Sequence, residues 1–532
     1  MARYLRRTAA AVALFFTLFG TQAGLAQKSG GVLKVYHRDS PGSMSILEEA
    51  TLSTLLPMMG VFNNLVLYDQ HVAQNSLATI VPDLATDWSW SEDGTQLTFH
   101  LRDGVTWHDG KPFTSADVRC TWELLAGRST AGLRTNPRRS WYSNVREVTT
   151  GGGREVTFVL GRPQPALLAL LASGLAPIYP CHIPARDMRS HPIGTGPFKF
   201  VEYKPNQGIR VERNPDYWKP GRPYLDGVEY GIIPNRSTAI LALVAGKFDL
   251  SFPYDVAIPL LKDVQSQAPD IVCDLAPLNA SRNVIVNRRV APFDNPEARR
   301  AIALSLDRKS FIGILGEGVG DIGGTMLPPP AGLWGLPSER LEKLPGYNAD
   351  IAKNRAEARG IMERLGYGPD NRLKIKVAAR NIPISRDPAI ILIDQLKSIY
   401  IDGDLDLVDT AAWFPKIARH DYVIGHNLTA NAVDDPDQHL YENYACGSER
   451  NATAYCNPEL ERLFERQSVE ADQEKRKQLV WDIDEKLQQD GARPIIFHYR
   501  AATCRQPYVR GLTIMVNSIY NGWRFEDVWL DR

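Results

Sequence analysis

Histidine beside acid, scattered cysteine and strand-end arginine are the residue types in this chain whose spacing invites chemistry. His108-Asp109-Gly110 sets a general base next to a carboxylate that could orient it, as a hydrolase needs. No G-x-S-x-G elbow and no H-E-x-x-H pair occurs to supply a nucleophile or a metal, so the triplet after Trp107 reads as a turn. Gly316-Glu317-Gly318-Val319-Gly320 is glycine-rich but lacks the Lys-Ser/Thr of a phosphate loop. His420, His426 and His439 could converge on a metal or a metal chelate, yet their spacing is not diagnostic, and hydrogen-bonding or solvated roles suit them better. Six cysteines stand at 120, 181, 273, 446, 456 and 504 with no C-x-x-C pair, which argues against zinc. Cys446 and Cys456 share a loop-like run with Gly447 and Asn451, so a local disulfide is expected there; the pairing of the other four stays open. Neither an enzyme, nor a cofactor, nor a bound metal is expected.

The elements that would position these residues belong to an α/β protein. Residues 82–118 read as two strands and a capped helix: Glu92-Asp93-Gly94 turns the chain, and Leu97, Phe99 and Leu101 alternate with polar neighbours. Thr114 with Asp117 three residues on predicts a helix start, the helix running through Leu125. A strand at 32–36 ends in His37-Arg38-Asp39-Ser40, the kind of polar strand end that faces a cleft. Further on, the pattern predicts a strand at 228–233 and a helix from Ser237 to Val244. Asn295 caps a helix at 296–306, and Asp350 starts one that ends at Gly366. A strand at 373–379 runs straight into Arg380-Asn381, followed by a helix at 388–400 and a strand at 405–408. The polar run 426–439 follows 421–425, and 458–470 and 473–489 read as amphipathic helices before a strand at 494–499.

At 532 residues and 44% hydrophobic, the chain exceeds one ordinary domain and has the composition of a soluble globular protein. Residues 1–26 differ: Arg3, Arg6 and Arg7 precede a short apolar run and a small-residue cleavage site, the pattern of a secretory signal peptide. A membrane anchor needs about 20 apolar residues and is disfavoured. Removing those three arginines, and no acids, shifts the formal net charge from 0 to −3. No basic block suggests nucleic acid. Export makes disulfides permissible.

Residues 82–118 also carry a resemblance. The order P-x-L-A-x-x-W, D-G, T-F-x-L-R-x-G-V-x-W-H-D-G-x-P-F-T-x-x-D-V is similar to that of extracytoplasmic solute-binding proteins of family 5. These serve peptide and nickel ABC importers. Gly194-Thr195-Gly196-Pro197-Phe198, Arg213-Asn214-Pro215-Asp216-Tyr217-Trp218, Pro292-Phe293-Asp294 and Asp435-Pro436-Asp437 resemble further family blocks, in the same order. The resemblance implies a two-lobe Venus-flytrap fold: a first lobe of residues 27–69, 192–278 and 503–532, a satellite subdomain at 70–191, and a second lobe at 279–502. Hinge crossings are expected near 278–282 and 499–504.

It also implies a periplasmic monomer that captures a small solute by closing and hands it to the transmembrane subunits of an ABC permease. The implied ligand-binding residues are Arg380, Asn381, Tyr254, Trp413, His37, Asp39, Asn427 and Asp434. Arg380 stands where a relative's arginine takes a dipeptide carboxylate. The aspartate that clamps a peptide's free α-amine in relatives is missing: its place falls on Ala432 or Ala430, with Asp434 as a neighbouring substitute. The expected cargo is therefore a peptide-like or other small polar solute, carboxylate-bearing and amine-blocked. An exported hydrolase and a ligand-presenting subunit of a membrane sensor are the alternatives.

Overall fold

The computed structural model describes residues 27–130 and 132–532, so the signal-peptide reading lies outside the described residues. Three sheets organise the chain. In the first lobe, Val32–His37 pairs in parallel with Gly227–Ile232, and Gly208–Arg213 and Phe198–Lys204 extend that sheet antiparallel. In the satellite, Ala85–Trp90, Gln96–Leu101, Glu155–Leu160 and Val145–Gly151 form an antiparallel sheet in that order. Leu97, Phe99 and Leu101 face inward, where Phe99 and Trp122 both meet Phe158 edge-on. The Ser115–Leu125 helix backing the sheet starts with a reciprocal Thr114–Asp117 capping box.

The second lobe holds a five-stranded sheet ordered Ile401–Val408, Leu373–Arg380, Ile424–Ala430, Val272–Val286, Ile495–Arg505. Its last two members are the crossing strands. They run antiparallel from Cys273 opposite Cys504 to Asn283 opposite Ile495, with register breaks between Pro277 and Ser281 and between Arg282 and Asn283. Bridges from Leu250 to both Val35 and Arg505 tie them to the first lobe's sheet. The final segment returns to the first lobe, where buried Arg524 donates to Asp83 at 3.0 Å.

Two local readings change. The helix expected from 388 begins at Pro383 and runs to Lys397, because Pro383 presets the first-turn dihedral and Pro388 is accommodated inside. The helix assigned to a Ser237 cap starts at Arg236, capped by Asn235, which accepts the Thr238 N–H. The polar run 426–439 holds most of the Ile424–Ala430 strand and the start of the Pro436–Asn443 helix, capped by Asp435. Disulfides join Cys120 to Cys181, Cys273 to Cys504 and Cys446 to Cys456. Among the described residues no helix is long and apolar enough to cross a membrane.

Candidate functional site

A cavity of about 430 Å³ lies where the lobes and the satellite meet. This is within the roughly 300–1,000 Å³ range of small-ligand pockets. The first lobe contributes Gly42, Glu48, Glu49 and Ala50, and the satellite Arg134, Thr135 and Pro137. The second lobe supplies the rest, above all the Thr410–Ala418 helix, whose Trp413, Phe414, Pro415 and Ile417 make an apolar wall. Asn427, Thr429, Asn443, Arg450 and Arg493 form a polar counterpart.

The cleft is sealed by bonds between its walls. Arg380 Nη2 reaches across the lobes to Asp39 Oδ2 at 2.9 Å, and Thr410 Oγ1 donates to the same oxygen at 2.6 Å. Burial alone would lift the Asp39 carboxyl, but the Arg380 and Arg38 guanidiniums, with the Ser53 hydrogen bond, outweigh it and hold it below the usual carboxylate range. Burial pulls Arg380 down to about 10, partly offset by Asp39. On the satellite side, Trp141 Nε1 donates to Glu442 at 2.8 Å, Gln164 Nε2 to Asp437 at 2.9 Å and Arg162 Nη2 to Tyr441 at 2.7 Å. The Asn136 N–H donates to Glu449 at 2.8 Å.

Of the residues expected to hold a ligand, Trp413 and Asn427 line the cavity. Asp39 and Arg380 lie together as the interlobe pair, each engaged by the other rather than lining the cavity. His37 is wholly buried: its Nε2 meets the Ser53 carbonyl at 2.9 Å, its ring packs on Phe252, and desolvation keeps it neutral. Tyr254 is a core residue with a left-handed backbone, its hydroxyl donating to the Met515 carbonyl at 2.6 Å. Asn381 is exposed at the sheet's end, its N–H on the Val408 carbonyl. Asp434 accepts the Leu333 N–H at 3.1 Å, and burial lifts its carboxyl to about 7. Ala432 has only backbone groups to offer: its N–H donates to Gln438 at 2.7 Å, and its carbonyl accepts from Ser518 and Asn521 at 2.8 Å each. None of these last five lines the cavity. His426 and His439 are buried with desolvated rings, and His420 sits apart on a turn; among the described residues no group of three or more potential ligands could hold a metal.

Residue-type reasoning missed Phe414, Arg450 and Arg493. Arg493 is buried, donating from Nη1 to Thr429 Oγ1 and Asn443 Oδ1 at 2.9 Å each, and its Nε has no partner among the described residues. Its only signal in sequence is a cation directly before the apolar strand, next to Pro494.

Comparison with known proteins matches residues 79–451 to the model of bacterial extracellular solute-binding proteins, family 5 (middle). A probable di/tripeptide-binding protein 5 of Pseudomonas aeruginosa is 24% identical over 492 residues, 87% of this chain and 89% of that protein. The oligopeptide-binding protein AppA of Bacillus subtilis is 28% identical over 433 residues, 77% of this chain and 76% of that one. Among solved structures, the periplasmic binding protein DppA of Helicobacter pylori with the peptide STSA superposes at TM-score 0.82 and 22% identity, covering 95% of this chain and 99% of that one. AgaA of A. tumefaciens R10 with agropinic acid gives TM-score 0.81 at 22% identity, covering 94% and 99%.

Proposed function

The chain belongs to family 5 of the bacterial extracellular solute-binding proteins, and on that footing we propose that it is the periplasmic substrate-binding component of an ABC importer. It captures a small solute between its lobes, closes over it, and delivers it to the membrane permease. The observation that carries this reading is the cavity itself, walled by both lobes and the satellite and sealed by cross-cleft bonds. Contacts made only when the lobes meet favour the closed form, so cargo that bridges the walls shifts the population toward it. Binding without chemistry suffices for this role, and chromogenic ester, amide and phosphate substrates are expected to remain intact.

The cargo is a small polar solute, carboxylate-bearing and without a free α-amine. The support is the missing clamp: no carboxylate of residues 431–437 lines the cavity. Asp435 and Asp437 are instead spent on Arg476 at 2.8 and 3.2 Å. Relatives span cargoes as different as the peptide STSA in DppA and agropinic acid in AgaA. Native mass spectrometry of the purified mature protein, followed by denaturing release, tests both levels. A stoichiometric small acid is expected; tight calorimetric binding of unmodified di- or tripeptides would overturn the amine-blocked assignment.

A further inference from the structure

We infer that Arg493 is the anion anchor of the interlobe cavity, and that the cargo sets one anionic group on it with an apolar body against the Trp413–Phe414 wall. The inference rests on the reading of this cavity as the cargo site. Three arginines line the cavity, and two are already neutralised: Arg134 pairs with Glu49 at 2.8 Å, and Arg450 with Glu442 at 3.1 Å. Glu48 is held at 2.7 Å by Arg189, which stands outside the cavity. Glu449 is exposed at the rim, where water supports its charge. Arg380, the arginine the family pattern favours, is taken by Asp39.

That leaves Arg493. It is 2% exposed, and among the described residues it forms no ion pair with a carboxylate. Its hydrogen bonds go to the neutral Thr429 and Asn443, and its guanidinium stands 5.4 Å over the Tyr444 ring. Neutral partners fix its position, and the acid that acts on it from nearby, Glu442, is already engaged by Arg450, Trp141 and Gln438. A buried cation in that state is costly, and an incoming carboxylate or phosphate relieves the cost through charge-assisted bonds. The facing helix cannot compete for that anion, because what it offers is Trp413, Phe414 and Ile417. The two surfaces together select an amphiphilic anion over a neutral isostere.

The test is calorimetric titration of the mature protein with matched acid and amide probes: N-acetyl-phenylalanine against N-acetyl-phenylalaninamide, and phenylacetate against phenylacetamide. Any solute released from the purified protein is scored against its own amide. The acid of a pair should bind at least about tenfold tighter than the amide. Arg493→Gln should bring the two to parity, Arg493→Lys should keep the preference, and Phe414→Ala should weaken both members alike. Circular dichroism melts confirm that the variants fold. Amides that bind as well as acids, or a preference that survives in Arg493→Gln, overturn the anchor and leave the transport reading intact. So does a neutral or cationic solute released from a protein that binds neither pair. A protein that releases nothing and binds no probe counts against the cavity as a cargo site, and the anchor falls with it.

Discussion

Asp39 and Arg380 show how much one residue pair can hold. Both are buried, they come from opposite lobes, and Thr410 and Ser53 complete the bonding of the carboxylate. Replacing Asp39 by Asn leaves a buried guanidinium without its counter-charge, which typically costs about 3–5 kcal/mol. Urea unfolding at neutral pH should show Asp39→Asn strongly destabilised and the double variant with Arg380→Met largely restored. Asp39's folded value lies below its unfolded one, so its contribution is present above about pH 4 and is lost as pH falls through the depressed folded value. Asp434 runs the other way. Burial raises it to about 7, so its charge destabilises the fold progressively as pH rises from about 4 to 7. The melting temperature of Asp434→Asn relative to the parent should therefore be highest near pH 8 and decline toward pH 4. A difference that does not move with pH would mean that Asp434 titrates as an ordinary surface acid.

Helices announced by a cap and an amphipathic stripe could be read from the sequence; the buried helix through which the satellite holds the second lobe could not. Asn295, Asp350 and Thr114 announce their helices because a cap followed by an amphipathic stripe is a local signal, and the 473–489 helix was legible end to end. The Pro436–Asn443 helix has every residue buried, so no polar face alternates with an apolar one, and its polar side chains are satisfied mostly by partners elsewhere in the chain. Asp437 alone takes bonds from Gln164, Gln467, Ser468 and Arg476. The same holds for the central Ile424–Ala430 strand, whose His426 and Thr429 are buried polar residues with partners far away in sequence. Here the satellite grips the second lobe, and Trp141 and Gln164 are its fingers. Trp141→Phe keeps one aromatic ring at the site and removes the pyrrole ring with the N–H that Glu442 accepts. Fluorescence energy transfer between labels on the satellite and the second lobe should report a larger open population in this variant. The melting temperature should fall as well, because Phe leaves a void where the rest of the buried indole packed, so the open population is read well below both melts.

Across the whole molecule, the two-lobe architecture followed from motif order, and crossings near 278–282 and 499–504 were expected from the same resemblance. How the crossing strands are pinned did not follow, because a register break and a disulfide between residues 231 apart leave no local trace. The Cys273–Cys504 bridge fastens the pair at the first-lobe end, while Asn283 opposite Ile495 anchors it in the second lobe's sheet. Between them, from Pro277 to Ser281, the ladder to the partner strand is interrupted. Backbone that lacks ladder bonds on one side bends at least cost, so opening should pivot there. Hydrogen exchange on the cargo-free protein tests this. Amides at 278–281 should lose protection when cargo is removed, whereas those at 273–276 and 501–504 stay protected by the bridge and the intact ladder. Reducing the disulfide should extend the fast-exchanging segment toward 273. If protection falls evenly along both strands, or falls first in the Cys273–Cys504 segment, the pivot lies elsewhere and the bridge is part of the moving joint rather than its fixed end.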